Sequence, residues 1–406
     1  MTDYDSIGPR IAQQRKARGV TQIALAHEAG VSVSLLRKLE QGSRMASQPV
    51  VAALARALHV DVTTLTGQPY DRDGRDPDRI HAAMPDLRRA LALWDLAADH
   101  GTAPRDPADL VQDAAGIATL YQLDRNSEVA NRLPALLTET FAALHDSDEE
   151  QRSQLFEALL GMFYATHAVT YQSGYEDLST IVEDRIAGIA GQWGDPVAQA
   201  FASWVRTTSL MRMGEYDAGL RILARSLDAV DPGRRQDPAA LRMMGSLHLR
   251  SAILAARANR AAEAVAHVAE ARRAAAHTGA DTDNDWRNLA FGHANVDIHA
   301  VATAVESGDG PGALALADEV HFSGDVLRRL PIRVGHHYMD VARAQLWQGR
   351  TEGALASLEK AKRLAPQQTR RHPTTREVTR TLVRSHRRAN EPLARFASWL
   401  GPVADR

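Results

Sequence analysis

The 406-residue sequence predicts an all-α protein, a small N-terminal bundle of five helices followed by a long α-solenoid. Three observations carry that prediction. Alanine occurs about 70 times while aromatics make up only 5%, and Ala is both the best helix former and small enough to let helices approach closely. Short breaks rich in Gly, Pro and Asp punctuate otherwise helical stretches. Those breaks recur at near-regular spacing, which marks a repeat. With 44% hydrophobic residues the chain has ample material for a core, so wholesale disorder is excluded.

The N-terminal bundle follows from its caps. IGPRIAQQRKARG reads as a first helix, with Pro9 in its first turn, where a missing N–H costs little, and Gly19 as its stop. Thr21 caps a second helix, QIALAHEA, and Gly30 supplies the turn after it. Ser32 caps a third helix, VSLLRKLEQ, which Gly42 ends. Ser47 and Pro49 open a fourth helix running to Leu58, and VDVTTL makes a short fifth. Two helices joined by a short Gly-containing turn form a helix-turn-helix, with Leu25, Val31, Leu36 and Leu39 spaced to clamp them together. That leaves Ser32, Val33, Ser34, Arg37 and Lys38 on the outer side of the third helix, where a major groove would lie. Arg reads guanine through O6 and N7, Ser bonds several bases, and Val touches a thymine methyl. Gln22, Gln41, Ser43 and Arg44 are placed for phosphate contacts, which fix register without reading sequence. Charge agrees with this. The net charge of the whole chain is −2, but residues 1–66 hold eight basic against five acidic residues, so a basic head sits on an acidic body.

Segment 67–79, GQPYDRDGRDPDR, lacks apolar periodicity and reads as a linker. The predicted units are therefore 1–66, the linker 67–79, and a helical-repeat body over 80–406. Within the body the clearest copy of the repeat has Tyr338 and Ala342 on a first helix, Gly349 at the turn, Ala354, Leu358 and Ala361 on a second, and Pro366 after it. This resembles the tetratricopeptide consensus. Weaker copies place their turns at Gly174, Gly214, Asn259 and Gly308. The spacing from turn to turn runs from 40 to 49 residues, above the ~34 of the standard repeat, which predicts longer helices. Stacked helix pairs of this kind bury one face against their neighbours and leave a concave surface. An irregular bundle is the alternative, and the Ala and Gly offsets weigh against it.

Taken together, T21-Q22, A29-G30-V31-S32 and L36-R37-K38-L39-E40-Q41-G42 resemble the XRE/Cro-repressor family of helix-turn-helix domains over residues 7–66. The resemblance implies double-stranded DNA as partner and an ion pair between an Arg of the first helix and a Glu late in the third, here Arg10 and Glu40. FGHAN (291–295), YMDVARAQLWQGR (338–350) and LAPQQTRRHPTTRE (364–377) are similar to stretches of actinobacterial XRE regulators that carry C-terminal tetratricopeptide repeats. His293-Ala294 stand where those relatives often carry Pro-Thr. The family implies cytoplasmic transcriptional regulators, and peptide-pheromone regulators of Gram-positive bacteria share the two-part layout.

On such a solenoid the first helix of each pair lines the concave face. The offsets place Tyr164, Tyr171, Trp204, Thr208, Arg212, Arg250, Arg257, Asn295, His299, His336, Arg343 and Trp347 there. Asn bonds a peptide backbone with donor and acceptor, Arg clamps carboxylates, and aromatics give stiff contact area. A short peptide or small-molecule effector is the expected ligand, and a homodimer the expected assembly, because one small head offers little contact to DNA. A scaffold that holds a partner protein is the competing reading.

Other classes find little support. The chain has no Cys, so thiolate zinc sites and cysteine nucleophiles are excluded. No apolar run approaches the ~18 residues of a membrane span, and the first residues lack secretory-signal features. No cofactor or metal is expected: His293, Asp297, His299, His336 and His337 have no accompanying HExxH, and SGDGPG (307–312) lacks the Lys of a phosphate loop. No catalytic motif is present, so enzymatic activity is not expected. The basic run from Arg370 to Arg388 is expected to form a solvated capping helix.

Overall fold

The computed structural model describes residues 7–68, 79–96, 104–145, 147–230, 237–278, 289–385 and 391–401. Residues 69–78 of the linker predicted from sequence lie outside the described residues. Those described form 22 α-helices and no strand.

The head comprises α1 (Ile7–Ala17), α2 (Gln22–Glu28), α3 (Val33–Glu40), α4 (Gln48–Ala57) and α5 (Val62–Thr66). Ile11, Leu25, Leu36, Leu39, Leu54, Leu58 and Leu65 form its core. The predicted caps are in place. Thr21 Oγ1 accepts the N–H of Ala24 at 3.2 Å, and Ser32 Oγ accepts that of Leu35 at 3.1 Å. Helix α1 lies so close on α3 that a Cβ at Gly8 would collide with the backbone oxygen of Leu39.

The body begins with α6 (Arg79–Ala92), α7 (Pro107–Gln122) and α8 (Asn126–His145). Four helix pairs then follow: α9 (Glu149–Ser173) with α10 (Glu176–Trp193), α11 (Pro196–Met213) with α12 (Tyr216–Ala229), α13 (Pro238–Arg257) with α14 (Ala261–Ala275), and α15 (His293–Glu306) with α16 (Gly310–Glu319). The short α17 (Gly324–Arg329) leads to a fifth pair, α18 (Pro331–Trp347) with α19 (Thr351–Leu364). Each of the five pairs turns on a residue of positive φ, at Gly174, Gly214, Asn259, Gly308 and Gly349, the positions expected from the repeat. Gly pays no steric penalty there and Asn tolerates the conformation. Helix α9 reaches 25 residues and α13 reaches 20, which accounts for the long spacing. The chain ends in α20 (Pro366–Arg371), α21 (Pro373–Ser385) and α22 (Glu391–Leu400).

The FGHAN stretch acts as a plug. Phe291 is fully buried and its ring occupies the space a side chain at Gly245 of α13 would need.

The solenoid closes on itself. Asp124, in the turn between α7 and α8, accepts the backbone N–H groups of Gln367 and Gln368 at the start of α20, the latter at 2.9 Å. Ser127 donates its N–H and its hydroxyl to Gln367 Oε1. Burial pushes the Asp124 carboxyl up to about 7, although both backbone donors pull it down.

One expectation fails in this part of the chain. The basic run is not a solvated face. Arg376 and Arg380 are buried, at 7% and 5% exposure, with Val378, Thr379 and Leu382 beside them. Helix α21 packs on α18 and α19, so its amphipathic repeat is covered on the side that carries these guanidiniums. Arg380 Nη1 donates to Glu377 at 2.7 Å, and Arg387 and Arg388 lie outside the described residues.

Several contacts join the head, and the residues just after it, to the body. Gln68 Nε2 donates to the carbonyl of Gln172 at 3.2 Å, Arg384 Nη1 donates to that of Gly42 at 3.1 Å, and α4 packs on α11 with Arg56 over Gly214.

Candidate nucleic-acid interface and effector cavity

At the head, α3 divides cleanly. Leu36 and Leu39 are buried, while Ser32, Ser34, Arg37 and Lys38 are exposed and Val33 is half-buried. The predicted base-reading residues therefore share one accessible face. Ser32 already spends its oxygen on the cap, which leaves its O–H as a donor. Gln41, Ser43 and Arg44 are exposed beyond the end of α3, and Gln22 is half-buried at the start of α2. Ser43 Oγ donates to the carbonyl of Lys38 at 3.1 Å, so its hydroxyl proton is engaged.

The ion pair inside the head is not the one the family resemblance implies. Glu40 pairs with Arg15, whose Nε donates to Oε1 at 2.7 Å and Nη2 to Oε2 at 3.0 Å. Gln22 Nε2 donates to the same Oε2 at 2.7 Å. Arg10 lies near the other end of α1, on the side that faces α5, and donates instead to the carbonyl of Thr66 at 3.1 Å. The hydrogen bond that Arg15 donates to Glu40 raises the Arg15 pKa against the desolvation that opposes it. Both side chains are almost buried, at 12% and 7% exposure. Glu40 thus ties α1, α2 and α3 at one point and holds Gln22 in place.

A second site lies inside the body. A cavity of about 330 Å³ is lined from α9, α11, α13, α15 and α18 and from the segment around α20. Gln48, Val62 and Thr66 of the head and Gln68 just after it complete its wall. Of the residues predicted for the concave face, Tyr164, Tyr171, Thr208, Arg212, Arg250, Arg257, His299, His336 and Arg343 line it.

Three of the predicted residues do not. Trp204 is in the core at 6% exposure, donating from Nε1 to the Ser246 carbonyl at 3.2 Å. Its ring packs on Phe201 and Tyr164. Asn295, in the first turn of α15, is buried below the wall with Val296, because α15 turns that face to α13 and α14. Trp347 ends α18, is 37% exposed, and stacks outside the cavity against Arg343 at 4.8 Å.

The charges in the wall are arranged around Glu306. Its Oε2 accepts from Arg257 Nε at 2.9 Å and its Oε1 from Arg343 Nη1 at 2.8 Å. Burial pushes this carboxyl up, but the two guanidiniums outweigh it and hold it at about 2. Arg212 donates to Glu176 at 2.5 Å and lies over the Tyr171 ring at 4.0 Å. Arg250 has a different environment. It donates to Thr208 Oγ1 at 3.2 Å, lies 4.2 Å over the Trp204 ring, and has no carboxylate partner among the described residues. Burial lowers its pKa to about 10. His299 and His372 are held at about 3, chiefly by burial and then by neighbouring cations, so both are neutral.

Glu306, Asp340, Arg333, Gln368 and His372 also line the cavity and are not among the predicted residues. Glu306 could have been found as the acidic residue that ends the Ala- and Val-rich helix before the Gly308 turn. His372 comes from the C-terminal segment, which no repeat offset reaches. Among the described residues no group of three or more His, Asp or Glu could hold a metal ion, and no helix is long and apolar enough to cross a membrane.

Comparison with known proteins bears on the head alone. Residues 11–65 match the family model described as helix-turn-helix. The N-terminal unit is a helix-turn-helix domain. Three solved structures are similar at low identity. The apo form of ComR from S. thermophilus shares 15% identity over 78% of this chain and 95% of its own, with a TM-score of 0.23. PlcR of Bacillus thuringiensis, in complex with the peptide PapR7 and DNA, shares 12% over 89% and 94%, also at 0.23. ComR in complex with DNA and its signalling peptide ComS shares 14% over 77% and 100%, at 0.16. At those scores the chains do not superpose as whole molecules. No curated protein matches the chain.

Proposed function

We propose that this protein is a sequence-specific DNA-binding transcriptional regulator of the cytoplasm, acting as a homodimer, whose helical-repeat body senses an effector. The observation that carries the DNA part is the exposed face of α3, where Ser34, Arg37 and Lys38 stand clear of the core beside half-buried Val33. The width of a helix fits the major groove, and these side chains are the types that read base edges there. The basic head adds the sequence-independent phosphate term.

The sensing part is supported by the cavity. It is lined by both units, with Thr66 of the head among its lining residues beside Arg212 and Arg257 of the body. A molecule bound there would contact the unit that reads DNA and the unit that recognises the effector. The small volume suits an effector better than the tail of a partner protein. A homodimer would present two heads to half-sites about 34–36 Å apart, or a multiple of that distance.

The experiment is selection of sheared genomic DNA by the purified chain at a stated salt concentration, followed by sequencing. A single enriched motif with two-fold symmetry is expected. No enriched motif at any salt concentration that permits DNA retention would refute the regulator reading.

A further inference from the structure

The cavity has an unbalanced charge. Five guanidiniums line it, from Arg212, Arg250, Arg257, Arg333 and Arg343, against the carboxylates of Glu306 and Asp340. One shell back, Glu176 serves Arg212, and Glu183 is bonded to His167 and Ser209 rather than to any of these guanidiniums. Glu306 is shared by two of the five. Burial also raises the pKa of Asp340, which weakens its hold on a proton-free form. His299 and His372 add no charge near neutral pH.

Arg250 is the extreme case. Its partners are a hydroxyl and an indole face, and neither neutralises a guanidinium. It stays protonated at neutral pH even with its pKa lowered. An ion removed from water costs several kcal/mol unless a counter-charge compensates it. Where protein supplies no counter-charge and the group opens on a cavity, a ligand can. The guanidinium fork matches a carboxylate or a phosphate in a bidentate pair.

We infer that the effector is a small organic oxyanion, a carboxylate or phosphate ester, whose anionic group is bound by Arg250 inside this cavity. This rests on the effector-sensing reading above and narrows it. The volume, about 330 Å³, lies at the small end of the ~300–1,000 Å³ range of ligand pockets. It therefore takes a compact molecule and not an extended peptide of several residues. The anionic group reaches Arg250 between Thr208 and the Tyr171 side of α9, and the remainder of the molecule packs toward Tyr164, Ile298 and Ile332.

The test uses the full-length chain and thermal melting at constant ionic strength. The probes are inorganic phosphate, citrate, benzoate and, as a neutral match for benzoate, benzamide, each against chloride. Wild type is compared with Arg250→Met and Arg250→Lys. At least one oxyanion is expected to raise the melting temperature, since a ligand that binds the native state alone stabilises it. Arg250→Met should weaken that anion's binding by calorimetry at least ~10-fold, with Arg250→Lys between the two, because Lys keeps the charge and loses the fork. Arg250→Met should itself melt no lower than wild type, because it removes an uncompensated buried cation. The inference is overturned if no oxyanion exceeds chloride, if benzamide stabilises as well as benzoate, or if Arg250→Met binds the anion as tightly as wild type. The benzamide outcome would leave effector sensing standing and remove only the anion. Failure of DNA reading would appear separately in the genomic selection.

Discussion

Replacing Glu306 by Gln probes the charge arrangement most directly. Glu306 forms ion pairs with both Arg257 and Arg343, at 2.9 and 2.8 Å, and its side chain is 8% exposed. Gln keeps the volume but offers one acceptor in place of two and turns an N–H toward a guanidinium. Two cations then lose their ion-paired carboxylate, and Asp340 acts on them only through space. Removing one partner from a buried ion pair costs about 3–5 kcal/mol. The titration argues the same size from another direction. A carboxyl held at about 2 instead of its ordinary 4.5 contributes roughly 3 kcal/mol of stability. Because the folded pKa is depressed, that contribution is present in full above pH 4.5 and is lost as the pH falls toward 2. At pH 7, then, urea unfolding of the full chain followed by helical circular dichroism should show Glu306→Gln less stable by about 3 kcal/mol. A triple variant, Glu306→Leu with Arg257→Met and Arg343→Met, should recover most of the loss, because replacing every member of a buried charge group by apolar side chains is often close to neutral. A loss below about 1 kcal/mol in Glu306→Gln, or a triple variant no better than the single one, would refute the claim that Glu306 neutralises both guanidiniums.

Three further outcomes follow from the geometry. Arg37→Ala should cost about 1–3 kcal/mol on the selected motif and relax one base position, whereas Gln22→Ala should weaken binding evenly across sequences; filter binding on a mutated-site panel separates the two. Stability should fall as the pH drops from 7 to 5, because His248 and His337 are held at about 4 and His299 and His372 at about 3, all below the ordinary 6.5, so the unfolded chain takes up protons that the folded one refuses. Asp124, raised to about 7, acts in the opposite sense over the same range and is outnumbered; urea midpoints that stay level or rise toward pH 5 would contradict this account. Gly245→Ala should destabilise by about 1–3 kcal/mol through displacement of the Phe291 ring, and Gly245→Ala with Phe291→Leu should restore part of it, as read by melting temperature.

Local rules made the head legible. Caps at Thr21 and Ser32, stops at Gly19 and Gly42, and the apolar spacing of Leu25, Leu36 and Leu39 are all properties of neighbouring residues, and each is in place. The turns of the repeat were legible for the same reason. A positive φ needs Gly or Asn whatever the rest of the chain does. The helix rotation that decides between wall and core is set by partners far away in sequence, and there the offsets fail by small angles. Trp204 and Thr208 are one helical turn apart on α11, yet Thr208 lines the cavity and Trp204 lies in the core. Arg10 and Arg15 share α1, and the placement of α3 and α5 against it decides that Arg15 reaches Glu40 while Arg10 reaches the Thr66 carbonyl. Closure of the solenoid depends on Asp124 meeting the backbone of Gln367 and Gln368, more than 240 residues onward, and no periodicity encodes that meeting. The charge imbalance belongs with these long-range features. The sequence of the body is acidic as a whole, and a reader of composition would place no anion there. Once α9, α11, α13, α15 and α18 converge, however, guanidiniums from three of those helices, α11, α13 and α18, face one cavity with only two carboxylates among its lining residues. Net charge governs how a chain meets solvent, whereas recognition of a ligand depends on which charges folding leaves without a partner.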